Sequence, residues 1–233
     1  MKPLRILIAD DHEVLRHGVR SLLQSHEGWE VCGEAVDGRD AVRKAAQLNP
    51  DVVILDIGMP NLNGLDAARD ILHDEPRTMI LILTIDESEQ VMREVLNAGA
   101  RGFLLKSDAA RDLLAAVEAL QQHRTFFTSK VAEIVLDGYL KGKQPAMKAE
   151  VPQERLTRRE REVVQLLAEG KTTKEVASIL GMSVKTAETH RSNIMRKLNL
   201  RSVSQLVLYA VRNNIVQVSP SIAAPVPGSA GPK

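Results

Sequence analysis

The stretch DVVILDIGMPNLNG (residues 51–64) decides the fold of the first half of the chain. Its apolar run, residues 52–55, does not alternate with polar residues, which predicts a strand buried on both faces of a parallel sheet. Asp56 ends this run, and burying a carboxylate there is costly unless another group pairs with it. The stretch therefore predicts a central strand and an acid at its carboxyl end that needs a partner.

Four further apolar runs have strand length. Helix-like segments lie between and after the runs, at 12–24, 38–48, 64–74, 87–98 and 108–121. Strands that alternate with helices of this length predict βαβ units with right-handed crossovers. We therefore predict that residues 1–124 form an α/β domain with a doubly wound five-stranded parallel sheet. The four outer runs are LRILIAD (4–10), WEVCGEA (29–35), MILILT (79–84) and GFLLK (102–106).

The rest of the chain divides into three parts. Residues 125–152 combine a predicted helix, FFTSKVAEIVLDGYL (126–140), with a polar linker that has no apolar period. Residues 153–216 show no strand pattern, and the capping residues Thr157, Thr172, Ser183 and Ser202 predict four helices. Residues 217–233 are rich in Pro, Gly, Ser and Ala, which predicts a disordered tail.

Composition and charge narrow the class of protein. Residues 1–124 carry 14 Lys and Arg against 21 Asp and Glu, whereas residues 151–216 carry 12 against 6. This asymmetry indicates an acidic domain and a basic one that seeks nucleic acid, although two domains with unequal solvated surfaces would also produce it. A single cysteine, no apolar run of membrane-spanning length and no signal peptide favour a cytoplasmic protein without a membrane partner.

Four of the predicted strands end in residues suited to phosphate chemistry. Asp10 and Asp11 end the first strand, Asp56 ends the third, Thr84 the fourth and Lys106 the fifth. Because parallel strands end at the same sheet edge, we expect these side chains to converge there. Carboxylates so close would repel one another, and Mg²⁺ would relieve that repulsion. Since an Asp carboxylate can accept a phosphoryl group, this edge predicts a magnesium-dependent phosphoacceptor site with Asp56 as the acceptor.

The motifs around these residues resemble the receiver domain of bacterial two-component response regulators. The matching segments are ILIADDHEVLRHGV, VVILDIGMPNLNGL, LILT and AGARGFLLKS, within residues 3–124. The resemblance implies a flavodoxin-like fold and phosphorylation of Asp56 by a sensor histidine kinase. It implies Mg²⁺ binding by Asp10, Asp11, Asp56 and the Gly58 carbonyl, phosphoryl contacts from Thr84 and Lys106, and a switch role for Phe103. Gly58 has no side chain with which to position water, which predicts a long-lived phosphorylated state.

The basic part contains a helix-turn-helix pattern. A short helix (173–180) and a turn precede a longer helix (184–198), and in such units the second helix enters the major groove. Periodicity alone also fits an ordinary amphipathic helix. The stretch LTRREREVVQLLAEG…KEVASILGMSVKTAETHRSNIMRKL resembles the LuxR-type domain of the NarL/FixJ response regulators, which implies double-stranded DNA binding as a homodimer. The residues expected to contact DNA are Lys174, Lys185, Thr186, Glu188, Thr189, Arg191, Ser192, Arg196 and Lys197.

Two alternative functions are weighed against a phosphorylation-switched regulator of transcription. A haloacid-dehalogenase-like phosphatase also uses a strand-end Asp, but it places a second acid two residues later, where this chain has Gly58. A regulator controlled by a small ligand would leave the receiver site silent, which the complete set of Asp11, Asp56, Thr84 and Lys106 argues against. The sequence therefore predicts a regulator rather than an enzyme.

Overall fold

The computed structural model describes residues 2–127 and 156–217. The first range contains a five-stranded parallel sheet with strand order β2-β1-β3-β4-β5. β3 lies in the middle of the sheet, and each of its residues is buried, as its unbroken apolar run predicts. The strands are β1 (Leu4–Ala9), β2 (Trp29–Ala35), β3 (Val52–Asp56), β4 (Met79–Thr84) and β5 (Gly102–Leu105).

Helices cover both faces of the sheet. One core contains buried residues from α1 and α5, and the other contains residues from α2, α3 and α4. This confirms the predicted doubly wound α/β fold, and the predicted strand and helix positions agree with the structure to within two residues at each end. The helices are α1 (Glu13–Gln24), α2 (Gly38–Leu48), α3 (Gly64–Asp74), α4 (Glu89–Asn97) and α5 (Ala109–Gln121).

The segment after α5 differs from the helix predicted over 126–140. Phe126 is extended and forms a parallel bridge with Gly102, and its backbone exchanges hydrogen bonds with Arg101 and Phe103. The apolar residues that suggested a helix start therefore continue the edge of the sheet, where pairing with β5 satisfies their backbone groups. The rest of the predicted helix and the linker (128–155), and residues 218–233 of the predicted tail, lie outside the described residues.

The second range forms a helical domain with its own core. Its helices are α6 (Arg158–Ala168), α7 (Thr173–Ile179), α8 (Val184–Lys197) and α9 (Val203–Arg212). Thr157 and Thr172 form the capping boxes predicted from their spacing to Glu160 and Glu175. The third predicted box is incomplete, because the Gln205 side chain accepts a hydrogen bond from the Arg201 backbone instead of returning to the cap.

Candidate functional site

The carboxyl edge of the sheet brings Asp10, Asp56 and Lys106 into direct contact. The Lys106 Nζ lies 2.8 Å from the Asp10 Oδ2 and 2.9 Å from the Asp56 Oδ2. All three side chains are largely buried, and the contact follows from the parallel sheet, because β1, β3 and β5 end at the same edge. The strand-end residues therefore converge as the parallel topology predicts.

Burial and charge act against each other at this edge. Burial raises the pKa of the Asp56 carboxyl, and the nearby Asp10 carboxylate adds to the rise, while Lys106 and the Gly58 backbone N–H oppose it. Burial would lower the pKa of Lys106, but the Asp56 and Asp10 carboxylates outweigh it and raise that pKa. The Lys106 ammonium is therefore held between the Asp10 and Asp56 carboxylates.

Asp11 and His12 complete an acidic cluster around Asp56. Ligand atoms of Asp10, Asp11, His12 and Asp56 all lie within 4.8 Å of one another. Three carboxylates facing one ammonium leave an excess of negative charge, and carboxylate oxygens are the ligands that Mg²⁺ prefers. The residues present therefore fit a hard divalent cation. Sequence reasoning did not include His12, although its place directly after the two acids was a usable signal.

The remaining residues predicted for this edge are Thr84, Phe103 and Gly58. Thr84 ends β4 fully buried, and its Oγ1 accepts a hydrogen bond from the Asp86 backbone at 3.1 Å. Phe103 is also fully buried and packs in the core that contains α2, α3 and α4. Gly58 lies in the loop after β3, and its backbone lowers the pKa of the Asp56 carboxyl.

The polar residues expected to contact DNA share one exposed surface of the helical domain. Helix α8, which we call the recognition helix, buries Ala187 and Ile194 against its own domain and exposes the opposite face. Ser183 caps it, and its last turn carries Arg196 and Lys197. Exposed residues of this surface are Lys174 on α7, with Lys185, Thr186, Glu188, Thr189, Arg191, Ser192 and Arg196 on α8.

Lys197 is placed differently from the others. It is half-buried, and its Nζ donates to the Glu160 Oε2 of α6 at 2.9 Å. This pairing explains why the pKa of Glu160 lies below its usual value: burial opposes the shift, but the Thr157 backbone N–H and Lys197 outweigh it. Lys197 therefore links two helices of its own domain in this structure.

Comparison with known proteins identifies both halves of the chain. A model of the response regulator receiver domain matches residues 6–118, and one of the luxR family of bacterial regulatory proteins matches residues 154–210. The transcriptional regulatory protein LiaR of Bacillus subtilis is 37% identical over 91% of this chain and 99% of its own length.

This chain belongs to the NarL/FixJ family of two-component response regulators. It is a DNA-binding response regulator with a receiver domain and a LuxR-type helix-turn-helix domain.

Solved structures support the same assignment. RcsB of Salmonella enterica serovar Typhimurium, bound to the promoter rprA with the phosphomimetic BeF₃⁻, is 28% identical, with a TM-score of 0.55 over 89% of this chain and 98% of that one. A structure of two RcsB dimers bound to two parallel DNAs is also 28% identical, with a TM-score of 0.54 over 91% of this chain and 98% of that one.

In the described part of this response regulator, no helix is both long and apolar enough to cross a membrane.

The two domains of this response regulator contact each other beside the acidic cluster. Helix α6 packs against the loop after β3, residues 57–63, which we call the 57–63 loop. The Gln165 side chain accepts from the Asn63 N–H at 2.9 Å and donates to the Met59 carbonyl at 3.1 Å. The Glu169 carboxylate accepts from the Asn61 N–H at 3.1 Å. The loop that follows the candidate phosphoacceptor is therefore also a contact of the DNA-binding domain.

Ion pairs surround this contact between the domains. Arg39 donates to Glu162 at 2.9 Å, and Arg161 pairs with Asp66 at 3.2 Å. Arg158 also pairs with the Asp70 carboxylate. Burial raises the pKa of Asp70 to about 6, with neighbouring acids adding to the rise against the opposing charge of Arg158. Glu162, Asp66 and Asp74 are those acids.

The interface leaves the recognition surface uncovered. Its residues come from α6, from the end of α9 and from the segments after these two helices, whereas the polar face of α8 is exposed. Sequence reasoning did not find Gln165 or Asn63 as contact residues. An uncharged Gln in an amphipathic helix has no pattern that distinguishes a buried contact from a solvated position.

Proposed function

We propose that this response regulator is switched by phosphorylation of Asp56, with a sensor histidine kinase as the donor. The observation that carries the proposal is the buried Asp56 carboxylate held 2.9 Å from the Lys106 ammonium at a shared strand edge. A buried acid paired with a fixed cation is suited to receive a group that brings more negative charge. The complete set of strand-end residues supports the same role.

In the transfer step, an Asp56 carboxylate oxygen forms a bond to phosphorus. The bond from phosphorus to the donor's imidazole nitrogen breaks, and its electron pair stays on that nitrogen. Lys106 then exchanges a carboxylate oxygen for a phosphoryl oxygen, and the Thr84 hydroxyl donates to another. Because a dianionic phosphoryl group takes the place of the single carboxylate charge, the site gains about one negative charge, and both contacts become stronger after transfer.

Asp10, Asp11, Asp56 and the Gly58 carbonyl would hold Mg²⁺ at this edge. Its chemical contribution would be to neutralise the acidic cluster and the charge of the phosphoryl group. Lys106 alone leaves three carboxylates with one positive charge, which is the reason the acids need a second cation.

The switch would be carried by Thr84 and Phe103. When the Thr84 hydroxyl turns to the phosphoryl group, it vacates space near the sheet edge, and we propose that Phe103 repacks with it. Repacking of a large buried side chain changes the receiver surface, because closely packed cores transmit displacement.

The output of this switch would be binding of a homodimer to double-stranded DNA in the cytoplasm. The exposed face of the recognition helix combines cations for phosphates with short polar groups for base edges. On α9, Val203 and Leu208 are exposed, whereas Leu206 and Ala210 belong to the core of their own domain. The pairing surface proposed for the dimer therefore centres on Val203 and Leu208.

Phosphorylation with a small-molecule donor tests the proposal. With Mg²⁺ and acetyl phosphate, intact-mass measurement should show one added phosphoryl group on the wild-type chain and none on Asp56→Asn. Asp51→Asn, at the opposite end of the same strand region, should behave as the wild type. A phosphorylated Asp56→Asn chain, or continued hydrolysis of many donor molecules without a stable adduct, would contradict the proposal.

A further inference from the structure

Arg16 holds the backbone between the two acids that follow β1. It lies in the first turn of α1, and its Nη1 donates to the Asp10 carbonyl at 2.9 Å. That carbonyl belongs to the peptide that joins Asp10 to Asp11. Because a peptide unit is planar, a donor that fixes its carbonyl also fixes the plane from which both residues extend. The Arg16 contact therefore bears on the direction of two carboxylates of the acidic cluster.

The Asp10–Asp11 peptide lies between the strand ladder and the helix. The Asp10 N–H still donates to the Ala35 carbonyl of β2 at 3.2 Å, and α1 begins at Glu13. The His12 N–H donates to the Asp10 Oδ1 at 2.8 Å, so the carboxylate and the carbonyl of Asp10 have separate donors. The orientation of this peptide therefore depends on contacts from outside the regular ladders, and Arg16 supplies one of them.

Glu34 of β2 anchors the Arg16 guanidinium. The Arg16 Nε lies 3.3 Å from the Glu34 Oε2, and only 11% of the Arg16 side chain is exposed. Arg20 donates to the other Glu34 oxygen at 2.6 Å. Burial opposes the shift, but hydrogen bonds from Arg20 and Arg16 hold the pKa of the Glu34 carboxyl below its usual value. Glu34 therefore stays ionised and compensates the charge of Arg16.

Arginine suits this position for two reasons. Its guanidinium carries several donors in a rigid plane, so Nε can bind Glu34 while Nη1 binds the Asp10 carbonyl. The Glu34 carboxylate also offsets a positive charge that would otherwise repel a divalent cation at the neighbouring acids. The pair can therefore orient the acids without weakening the attraction of the site for a cation.

We propose that Arg16 is a positioning residue of the metal site: it orients the Asp10–Asp11 peptide so that both carboxylates face the same cation. This inference rests on the proposed function, in which these acids hold Mg²⁺. Arg16 acts through the backbone and not as a ligand, because a guanidinium has only donors to offer. Groups that orient metal ligands typically contribute about 10–100-fold to metal affinity.

Mg²⁺ titrations of full-length variants, without a phosphoryl donor, test the inference. Arg16→Met keeps an aliphatic side chain but removes the donors, so its dissociation constant for Mg²⁺ should rise about tenfold. Arg16→Lys keeps a charged donor group and should bind Mg²⁺ more tightly than Arg16→Met does. The NMR chemical shifts of the backbone amides at the site, followed against Mg²⁺ concentration, give the three dissociation constants.

Arg5→Met is the matched control. Arg5 lies at the other end of β1, where it donates to the Leu48 carbonyl at 3.0 Å and pairs with Glu30 at 3.6 Å. Because these contacts are of the same kind, Arg5→Met should lose stability in urea unfolding but keep the wild-type affinity for Mg²⁺.

Three outcomes would overturn the inference alone: wild-type Mg²⁺ affinity in Arg16→Met, equal weakening in Arg16→Met and Arg5→Met, or binding by Arg16→Lys that is no tighter than that of Arg16→Met. A wild-type chain that does not bind Mg²⁺ would overturn the proposed metal site, and the inference with it.

Discussion

The strand-end site and the recognition helix hold their charged groups in opposite ways. At the sheet edge, Lys106 is buried between Asp10 and Asp56, and each charge is fixed by another. On the recognition helix, Lys185 and Glu188 are exposed on the surface. At the sheet edge the charged groups are paired with one another inside the protein, whereas the polar groups of the recognition helix remain available to bind a ligand.

This difference determines what a substitution can do in each region. Removing a buried partner leaves an uncompensated charge, so both stability and chemistry change. Replacing an exposed polar residue leaves the fold almost unchanged and alters only what the helix binds. Between the two regions lies the 57–63 loop with Gln165, where a substitution should change how the domains dock. The largest effect is expected at the sheet edge, where a buried charge would lose its partner.

Lys106→Met should have the largest effect, and it tests the contrast between buried and exposed charged residues. It leaves Asp10 and Asp56 buried without their cation, and we expect the free energy of unfolding at pH 7, without divalent ions, to fall by about 3–5 kcal/mol. Phosphorylation of Asp56 should be lost. The matched control is Arg93→Met, whose Nε donates to Glu89 at 2.9 Å on the exposed surface of α4 and should contribute less than about 1 kcal/mol. Urea unfolding measures the free energy of unfolding of both variants. An equal fall in the two variants would contradict the prediction.

Gln165→Ala should affect docking. It removes the partners of the Asn63 N–H and the Met59 carbonyl, and we expect docking to weaken by about 1–3 kcal/mol. Native-state hydrogen exchange at Asn63 should accelerate, while exchange in β3 stays slow. Gln24→Ala, at an exposed position of α1, provides the control. Unchanged protection of Asn63 in Gln165→Ala would show that the loop does not depend on the DNA-binding domain.

Glu188→Ala should change DNA recognition without changing stability. As a residue expected to read bases, Glu188 should contribute about 1–3 kcal/mol on the true operator and little on random duplexes. Lys185→Ala should instead weaken binding to all sequences and reduce the salt slope by about one unit. Binding titrations across salt concentrations compare the two variants. If Glu188→Ala weakens both kinds of duplex equally, the assigned recognition face is wrong.

A further effect concerns the pH dependence of the interface. The Asp70 carboxyl has its pKa raised from 3.8 to about 6, so the folded protein keeps this proton where the unfolded chain has released it. The contribution of Asp70 to stability is therefore highest below about pH 4 and declines as the pH rises to about 6. Asp70→Asn should flatten that decline in thermal unfolding. If the stability of Asp70→Asn declines with pH by the same amount, groups other than Asp70 cause the decline.

The sequence predicted that the strand-end side chains converge, because their geometry follows from topology. Parallel strands of one sheet have their carboxyl ends at the same edge, so Asp10 after β1, Asp56 at the end of β3 and Lys106 after β5 are expected to lie close together. The periodicity of α8 likewise predicted which side is exposed. Both inferences use only the spacing of residues within one element or one sheet.

Contacts between the domains could not be predicted in the same way. Asn63 and Gln165 are separated by 102 positions, and their hydrogen bonds depend on how two independent surfaces meet. The position of Lys197 could not be predicted either. Periodicity places Lys197 near the DNA-contacting face, but its ion pair with Glu160 holds it against α6. On α9, an apolar run does not show which members face the core, and only packing separates buried Leu206 from exposed Leu208.

The exposure of the polar face of α8 in the docked arrangement has an evolutionary consequence. The residues that would read an operator share no position with the residues that hold the receiver: Glu188, Thr189 and Ser192 lie on one helix, and Gln165 and Glu169 lie on another or just beyond its end. Descendants of this gene can therefore acquire new target promoters by substitutions in α8 while inheriting the control apparatus intact.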